Sequence, residues 1–466
     1  MNRVRIWRNV LVACAVLLVA ELSRGAQNLS VAARTIEHPD TGLGSSWSIA
    51  MSSVLAIAPL LLVGRLSNYL RPSTFLTSAA GLSLLGTLGC LLPASIAPLG
   101  LVFTGTALAL ALASVASLIV VAQEINVPRA LTLGLWCAMV PIADAVLGVA
   151  SNYVPVDMWW LVVSGVLVLT LAAFLASILG PPIEPVSTFE QFDLSGAALW
   201  LIGISGVIYF LATGASSPSV VAAGVVGLIA LAGLVMWIRQ QRATGFVPPV
   251  LVSRRWLAIG LLGALGLGLV VRLSHMESVA FTWTMHGDQP TNAPVLALWL
   301  AAAVFAPITG RLLDRGAGWV VPLCGVLELG AGAVIVNALT QPAAVDSGGA
   351  AWNLTPGLAL FGAGLGTLTV WLLYVAFDGV PRSLLAPAAG LMVTALLSGR
   401  VLGGFVDDAM SGDLAGLGEM VRAAAIPIVF AILGLSALIV VPILIKRWDA
   451  QEAARDMETE QESDRH

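Results

Sequence analysis

Residues 306–315 read Ala306-Pro307-Ile308-Thr309-Gly310-Arg311-Leu312-Leu313-Asp314-Arg315. An apolar run ends here in proline, glycine, base and acid, which is how a membrane-length segment closes into a tight charged turn. The same order occurs earlier, as Ala58-Pro59 followed by Gly64-Arg65-Leu66, 246 residues before Gly310-Arg311-Leu312. Two more matches keep the register. Glu21-Leu22-Ser23-Arg24 aligns with Arg272-Leu273-Ser274-His275 at an offset of 251, and Val127-Pro128-Arg129 with Val380-Pro381-Arg382 at 253. One tripeptide can match by chance; three in order imply an internal duplication of membrane-spanning units.

Composition agrees with a fold whose solvent is lipid. The chain is 58% hydrophobic and 10% charged, where a soluble domain carries about 25% charged residues. Apolar stretches long enough to span fall at 8–33, 46–66, 73–94, 97–122, 131–153, 158–180, 196–214, 219–238, 256–282, 293–313, 319–340, 355–377, 384–406 and 424–445, which predicts fourteen spans. The first follows an arginine-rich start, as in a signal peptide, but lacks a clean cleavage site and reads as an uncleaved span. Arg3, Arg5, Arg8, Arg65, Arg71, Arg129, Arg239, Arg242, Arg254, Arg255, Arg311, Arg315 and Arg382 fall on the N-terminal side, with Arg34 and Arg422 opposite. Both termini are therefore expected in the cytoplasm, in the inner (cytoplasmic) membrane of the cell. The polar segment 181–195 and the basic segment 239–255 bracket spans 7 and 8 as an inserted pair. The expected organisation is a six-helix half over 1–180, a linker with two inserted spans over 181–255, a second six-helix half over 256–446, and a disordered acidic tail over 447–466.

On these residues the chain resembles the major facilitator superfamily, in particular its fourteen-span drug:proton antiporter branch of multidrug and quaternary-ammonium exporters. That branch has a glycine-led loop between the second and third helices of each half, with leucine, acid and arginine following. Gly310, Leu312, Asp314 and Arg315 fit it; in the first half Gly64 and Leu66 fit, while Asn68 and Tyr69 replace acid and base. Phe192-Asp193-Leu194-Ser195-Gly196 and Pro248-Pro249-Val250-Leu251, with Arg254-Arg255, are also similar to that branch. The resemblance implies an all-α major facilitator fold with two six-helix halves. It also implies gate loops formed by Gly64, Arg65, Gly310, Arg311, Asp314 and Arg315, with the acid set on a neighbouring helix N-terminus and pairing with an arginine. The fourth span reads Phe103-Thr104-Gly105-Thr106 where the branch has an arginine, and span 5 has Pro141 and Gly148 but no Gly-Pro pair.

Ionisable groups at bilayer depth are costly and mark partners or water-filled paths. The spans hold Glu21, Arg24, Asp144, Arg272, His275, Glu277, Glu328 and Arg400, and these are the expected proton and substrate pathway residues. Arg272 lies about 24 Å along its helix, with His275 one turn further. Glu21, Arg24, Arg272 and His275 form either a charge cluster that makes and breaks across a central cavity or a static bridge between halves. Glu21 and His275 are the groups that could carry a proton there. Asp144 and Arg400 suggest a second cross-half pair, and Glu328 is either a proton site or a hydrogen-bonding partner for a neighbouring helix. The few uncharged polar residues in the spans predict an otherwise apolar cavity.

A phosphate loop needs a Gly-Lys pair, and the sole lysine is Lys446, so ATP-driven transport is excluded. The cysteines Cys14, Cys90, Cys137 and Cys324 and the four histidines have no metal or disulfide spacing. No enzyme, cofactor, metal or nucleic-acid function is expected. The expected function is secondary transport, by proton-coupled alternating access, exporting a hydrophobic or amphiphilic small molecule, with membrane lipids and protons as partners and a monomeric chain. The other readings are a lipid or glycolipid exporter and a non-transporting membrane scaffold with a transporter-like fold.

Overall fold

The computed structural model describes residues 3–37, 46–92, 99–123, 128–154, 158–180, 192–214, 217–240, 246–252, 255–286, 293–318, 320–339, 354–378 and 380–411. Every regular element among them is a helix. The helices are α1 (Arg3–Glu37), α2 (Ser46–Ile57), α3 (Pro59–Leu66), α4 (Pro72–Leu91), α5 (Leu99–Gln123), α6 (Arg129–Tyr153), α7 (Trp159–Leu179), α8 (Leu194–Thr213) and α9 (Pro218–Gln240). After these come α10 (Pro249–Val252), α11 (Arg255–His286), α12 (Ala293–Asp314), α13 (Val320–Leu339), α14 (Thr355–Phe377) and α15 (Arg382–Ser411). Ten are long and apolar enough to cross a membrane, and 50–66, 256–270 and 320–336 are shorter apolar helical stretches. The expected span at 424–445 and the tail at 447–466 lie outside the described residues.

Helices suit lipid because they satisfy their own backbone polar groups. Buried hydroxyls follow the same economy by bonding back one turn: Ser67 Oγ donates to the Val63 carbonyl at 2.8 Å, Thr170 Oγ1 to Val166 at 2.7 Å and Thr394 Oγ1 to Gly390 at 2.7 Å. The expected span 46–66 divides into α2 and α3, because Pro59 has no N–H to continue the ladder. The freed bend at Ala58 is met from outside, as Trp200 Nε1 on α8 donates to the Ala58 carbonyl at 3.0 Å.

Packing repeats itself. α4 pairs with α5 as α13 pairs with α14; α1 packs on α6 as α11 packs on α15; and α6 lies on α12 as α15 lies on α3. α5 and α14 are the innermost, 83% and 78% buried over their spanning windows, whereas α9 is 22% buried and turns Leu228 and Ile229 outward. The inserted pair α8–α9 packs on itself, and α8 seats against both α2 and α15.

The duplication is resolved at atomic level by glycines that permit backbone to meet backbone. A Cβ built on Gly64 would lie 2.5 Å from the Ala386 carbonyl oxygen, and one on Gly310 would overlap that of Ala130. In the same way Gly390 abuts the Leu60 carbonyl, at 2.8 Å, and Gly134 that of Ala306, at 2.5 Å. Leu60 and Gly64 map onto Ala306 and Gly310 at an offset of 246, while Ala130 and Gly134 map onto Ala386 and Gly390 at 256. One contact is thus made twice. Because the fifth-span offset is 256, the Val-Pro-Arg match at 253 is displaced by three residues, so α15 starts almost one turn earlier than α6 does.

Candidate functional site

A cavity of about 830 Å³ lies among α1, α2, α5, α6, α8, α11, α12 and α15. Its walls come from late in α1, α6, α8, α11 and α15, from early in α5 and α12, and from the second half of α2, the first part of the span that continues into α3. All of these ends lie at the face of the molecule away from Gly64 and Gly310. At that opposite face the paired glycine contacts close the molecule.

The charged part of the cavity comprises Glu21 and Arg24 on α1, Asp144 on α6, Arg272 on α11 and Arg400 on α15. Glu21 is 3% exposed, whereas the Arg24 side chain is 40% exposed. The two form an ion pair, Arg24 Nη2 to Glu21 Oε2 at 2.8 Å, and Arg24 Nε donates to the same oxygen at 2.9 Å. Of the expected cluster, Glu21 pairs with the arginine one turn along its own helix, where residues three apart are neighbours, Arg272 lines the same cavity, and the His275 side chain lies outside the described residues. Asp144 lies within electrostatic reach of Arg24, Glu21 and Arg400. Asp144 and Arg400 are also 256 residues apart, so by the cross-half contacts they hold equivalent positions on α6 and α15 with opposite charge. Arg272 passes over Gly403, where a built Cβ would come within 2.8 Å of its own Cβ, and its Nε is 3.6 Å from a Cβ built on Gly404. Those two glycines clear the space its side chain occupies.

The remaining wall is more polar than the sequence suggested. Gln27, Asn28, Ser52, Ser53 and Thr106 line it beside Phe103, Leu110, Leu211, Trp299 and Phe405. Thr106 hydrogen-bonds the side-chain oxygen of Gln27, a neutral contact in the stretch where the resembling branch has an arginine. Single polar residues in apolar spans carry no face assignment in a sequence, so they were not legible there. Gly403-Gly404, one turn beyond Arg400, was the signal available for the space around Arg272.

Glu328 lies outside this lining. Thr367 Oγ1 on α14 donates to it at 3.3 Å, and Thr309 Oγ1 on α12 bonds Thr367 at 3.2 Å, which joins three helices. His275 and Glu277 belong to α11 beyond Arg272, and their side chains lie outside the described residues.

At the closed face the expected gate loops are helical. Gly64 and Arg65 sit in the last turn of α3, and Gly310, Arg311 and Asp314 in the final turns of α12, because no breaker comes before Gly316. Gly316 has φ 90°, and its N–H and that of Ala317 donate to the Leu313 and Leu312 carbonyls at 3.0 and 3.1 Å, a left-handed glycine cap. This stop presents Asp314 to the start of α6: Ala130 N–H donates to Oδ1 at 3.0 Å and Leu131 N–H to Oδ2 at 2.8 Å. These are orphan N-terminal donors, so the acid caps a helix that follows a different span. Arg311 and Arg315 are exposed. Arg129 instead donates from Nη2 to the Phe377 carbonyl at 3.2 Å, with Asp378 in electrostatic reach.

The first-half counterpart explains its own missing acid. The position equivalent to Leu131 is Pro387, which has no N–H, and the extra turn of α15 places Ala386 inside the helix. An aspartate there would find no free donors. Asn68 stands in its place, and its Nδ2 donates to the Ser383 carbonyl at 3.2 Å. Replacing Asp314 by alanine should therefore cost about 1–2 kcal/mol, read as a lower apparent thermal midpoint in detergent. Asn68→Ala, which removes a neutral side chain rather than a charged cap on two backbone donors, should shift it less; equal shifts would contradict the asymmetry.

The first-half gate residue Arg65 is buried and within electrostatic reach of Asp193. Asp193 caps α8 through Gly196 N–H at 2.9 Å and accepts from Trp237 Nε1 at 3.0 Å and Phe246 N–H at 2.9 Å. Tyr69, Phe192 and Phe246 stack edge to face at 6.2 Å spacing. The inserted pair is thus tied to the end of α3.

Among solved structures, the chain aligns with the major facilitator superfamily proton:xylose symporter XylE bound to 6-bromo-6-deoxy-D-glucose. The TM-score is 0.61 at 14% identity, over 96% of each chain. This is the major facilitator fold. The same fold is matched in a double-tryptophan variant of XylE, with TM-score 0.64 and 13% identity over 94% of this chain and 95% of that one. The human organic anion transporter MFSD10 (TETRAN) has it too, with TM-score 0.62 and 12% identity over 93% of this chain and all of the other. The sequence matches no protein-family profile and no curated protein. Within the major facilitator fold, the repeated glycine contacts and the doubled positions of Asp144 and Arg400 define the relation between the two sets of helices here.

Proposed function

We propose that this protein is a secondary transporter that moves an amphiphilic small molecule by alternating access, with proton coupling and export as the direction. The observation that carries this reading is the placement of Asp144 and Arg400. They are opposite charges at equivalent positions of the duplication, they face one cavity, and that cavity is closed at one face by contacts made once in each copy. A rocking motion about such a duplicated interface changes the spacing of that pair, which gives a cargo or proton something to bias. The fold is shared with proteins described as a proton:xylose symporter and an organic anion transporter, and those descriptions favour a carrier over a scaffold.

The same reading takes the chain as fourteen spans with cytoplasmic termini, two six-helix halves over 1–180 and 256–446, and the inserted pair between them. It sides with the drug:proton branch in the helix-capping acid Asp314. Glu21, held by Arg24 beside Asp144, is the proposed proton carrier.

The test is pH change inside proteoliposomes of purified protein when amphiphiles of each charge are added. Glu21→Gln should lower cargo-dependent proton movement at least about tenfold, equivalent to ~1.4 kcal/mol, in protein that still unfolds in a cooperative thermal transition. Proton movement that persists in Glu21→Gln removes Glu21 from the path. No movement of any cargo by folded protein favours the scaffold reading.

A further inference from the structure

We infer that the inserted pair α8–α9 is the cavity's wall on the bilayer side, with Phe210 sealing it against α15, so that cargo enters from the face away from Gly64 and Gly310 and not from the lipid. This gives the two inserted helices a task, and it holds whether or not the protein moves protons.

The duplication leaves a gap for them to fill. The two sets of helices meet along two seams, α6 on α12 and its counterpart, α15 on the span formed by α2 and α3. The first seam stays closed as far as the cavity: a Cβ built on Gly148 would lie 3.9 Å from Leu296 Cδ1. At the offsets of 246 and 256, Leu296 maps onto Ala50 and Gly148 onto Gly404. The side chain that reaches across one seam is therefore a methyl group at the other. Among the described residues α15 packs on α3, whereas α2 barely meets it. α8 packs on both α2 and α15, and its Leu211 and Ala212 line the cavity together with Ser53 of α2 and Phe405 of α15.

The chemistry of the cavity requires the gap to be filled. Glu21, Asp144 and Arg400 line it, and ionisable groups set against acyl chains are costly. A side window would also let lipid tails occupy the apolar surface that a drug-sized ligand needs.

The inserted pair is built as a backed wall. Phe210 meets Phe405 at 5.8 Å between ring centres, and a Cβ built on Gly224 of α9 would come within 2.9 Å of Phe210 Cγ, so α9 fixes the ring from its other side. A Cβ on Gly227 of α9 would lie 2.8 Å from the Gly203 carbonyl oxygen, and one on Gly206 would overlap that of Ala223. Small residues thus bring the two backbones together, as they do between helices in lipid. α8 faces the cavity, and α9 faces outward with Ile229 66% exposed.

The experiment reads lipid contact directly. Full-length protein without its native cysteines carries a bimane fluorophore on Ala212→Cys, or on Ile229→Cys as the outward reference, in nanodiscs of phosphatidylcholine with brominated acyl chains. The brominated chains should quench bimane at 229 and leave that at 212 unchanged, while acrylamide in the solution should quench it at 212. Phe210→Ala should bring lipid quenching at 212 toward the level seen at 229. Should Phe210→Ala fail to fold, Phe405→Ala removes the same contact from the other side, and the measurement with both rings intact needs neither variant. Lipid quenching at 212 with both rings present, or none in folded Phe210→Ala, overturns the inference. A cavity shielded from lipid in a protein that moves no cargo leaves this inference standing and removes the transport reading. Lipid quenching at 212 in a protein that does transport does the reverse.

Discussion

Gly310→Val should open the closed face of the molecule. The three atoms nearest a Cβ on Gly310 are all backbone: it overlaps the Ala130 carbonyl oxygen and would lie 2.7 Å from the Ala130 carbonyl carbon and 2.8 Å from the Leu131 Cα. Backbone atoms cannot rotate away as a side chain can, so α12 and α6, the most extensively packed pair of helices here, must separate. Overpacking a tight contact costs about 1–3 kcal/mol. The separation also pulls Asp314 from the N–H groups of Ala130 and Leu131, and the two losses fall on the same conformation. The expected readout is a cysteine at position 132, buried in the first turn of α6, in a background without the native cysteines. Its modification by a bulky maleimide added at the Asp314 face should accelerate at least about tenfold in Gly310→Val, the factor that ~1.4 kcal/mol gives. Gly64→Val should act in the same direction, because the Ala386 oxygen would stand 2.5 Å from the new Cβ. An unchanged labelling rate in folded protein would show that the glycines do not hold that face shut.

Asp193→Asn should loosen the inserted pair although asparagine is itself a good helix cap. The amide oxygen can still accept from Gly196, but the second oxygen is replaced by an NH2 group facing two donors, Trp237 Nε1 and the Phe246 N–H. Hydrogen bonds to a charged group contribute about 1.5–3 kcal/mol each, so losing both should lower the apparent thermal midpoint by several degrees. The pH dependence has a definite sign. Partial burial pushes the Asp193 carboxyl up, but the bonds from Gly196, Phe246 and Trp237, with Arg65 nearby, outweigh it and hold the group below the ordinary aspartate value. A depressed folded-state value means the stabilisation is fully present above the unfolded value, about 3.9, and is lost as pH falls through the folded one. The difference between wild type and Asp193→Asn should be constant from pH 5 to 8 and shrink only in stronger acid. A difference that varies across neutral pH would point to another group.

Much of the fold was legible because lipid imposes so few solutions. The stretch expected at 131–153 is α6 over Arg129–Tyr153, and that at 256–282 lies within α11 over Arg255–His286. The duplication was legible too, but its register was not uniform. Val380-Pro381-Arg382 matches Val127-Pro128-Arg129 in letters, yet α15 gains three residues before its glycine contact, and only the pairing of Gly390 with Leu60 against Gly134 with Ala306 reveals this. That shift accounts for Asn68, which in sequence looks like a decayed acid and in three dimensions faces a helix with no donors to offer. The cavity charges were legible as rare ionisable residues in spans. Their partners were not, since a sequence does not say whether Glu21 turns to Arg24 on its own helix or to Arg272 across the gap. The glycine turns looked like loops because glycine and arginine close most loops; here the helical hydrogen bonds continue to Gly316.

The seat of α8 is unlike on its two sides. Toward α2 and α3 it is held by directional bonds, the Trp200 indole on the Ala58 carbonyl and the Asp193 network beside Arg65 and Tyr69. Toward α15 it is held by ring against ring, Phe210 on Phe405. A hydrogen bond resists displacement in every direction, whereas stacked apolar surfaces tolerate sliding so long as they stay in touch. In the proposed cycle the inserted pair would travel as a passenger of the first set of helices, and the Phe210–Phe405 contact would be the bearing surface over which the second set glides. The extra hairpin would then add mass to one side of the machine without adding a brake to it.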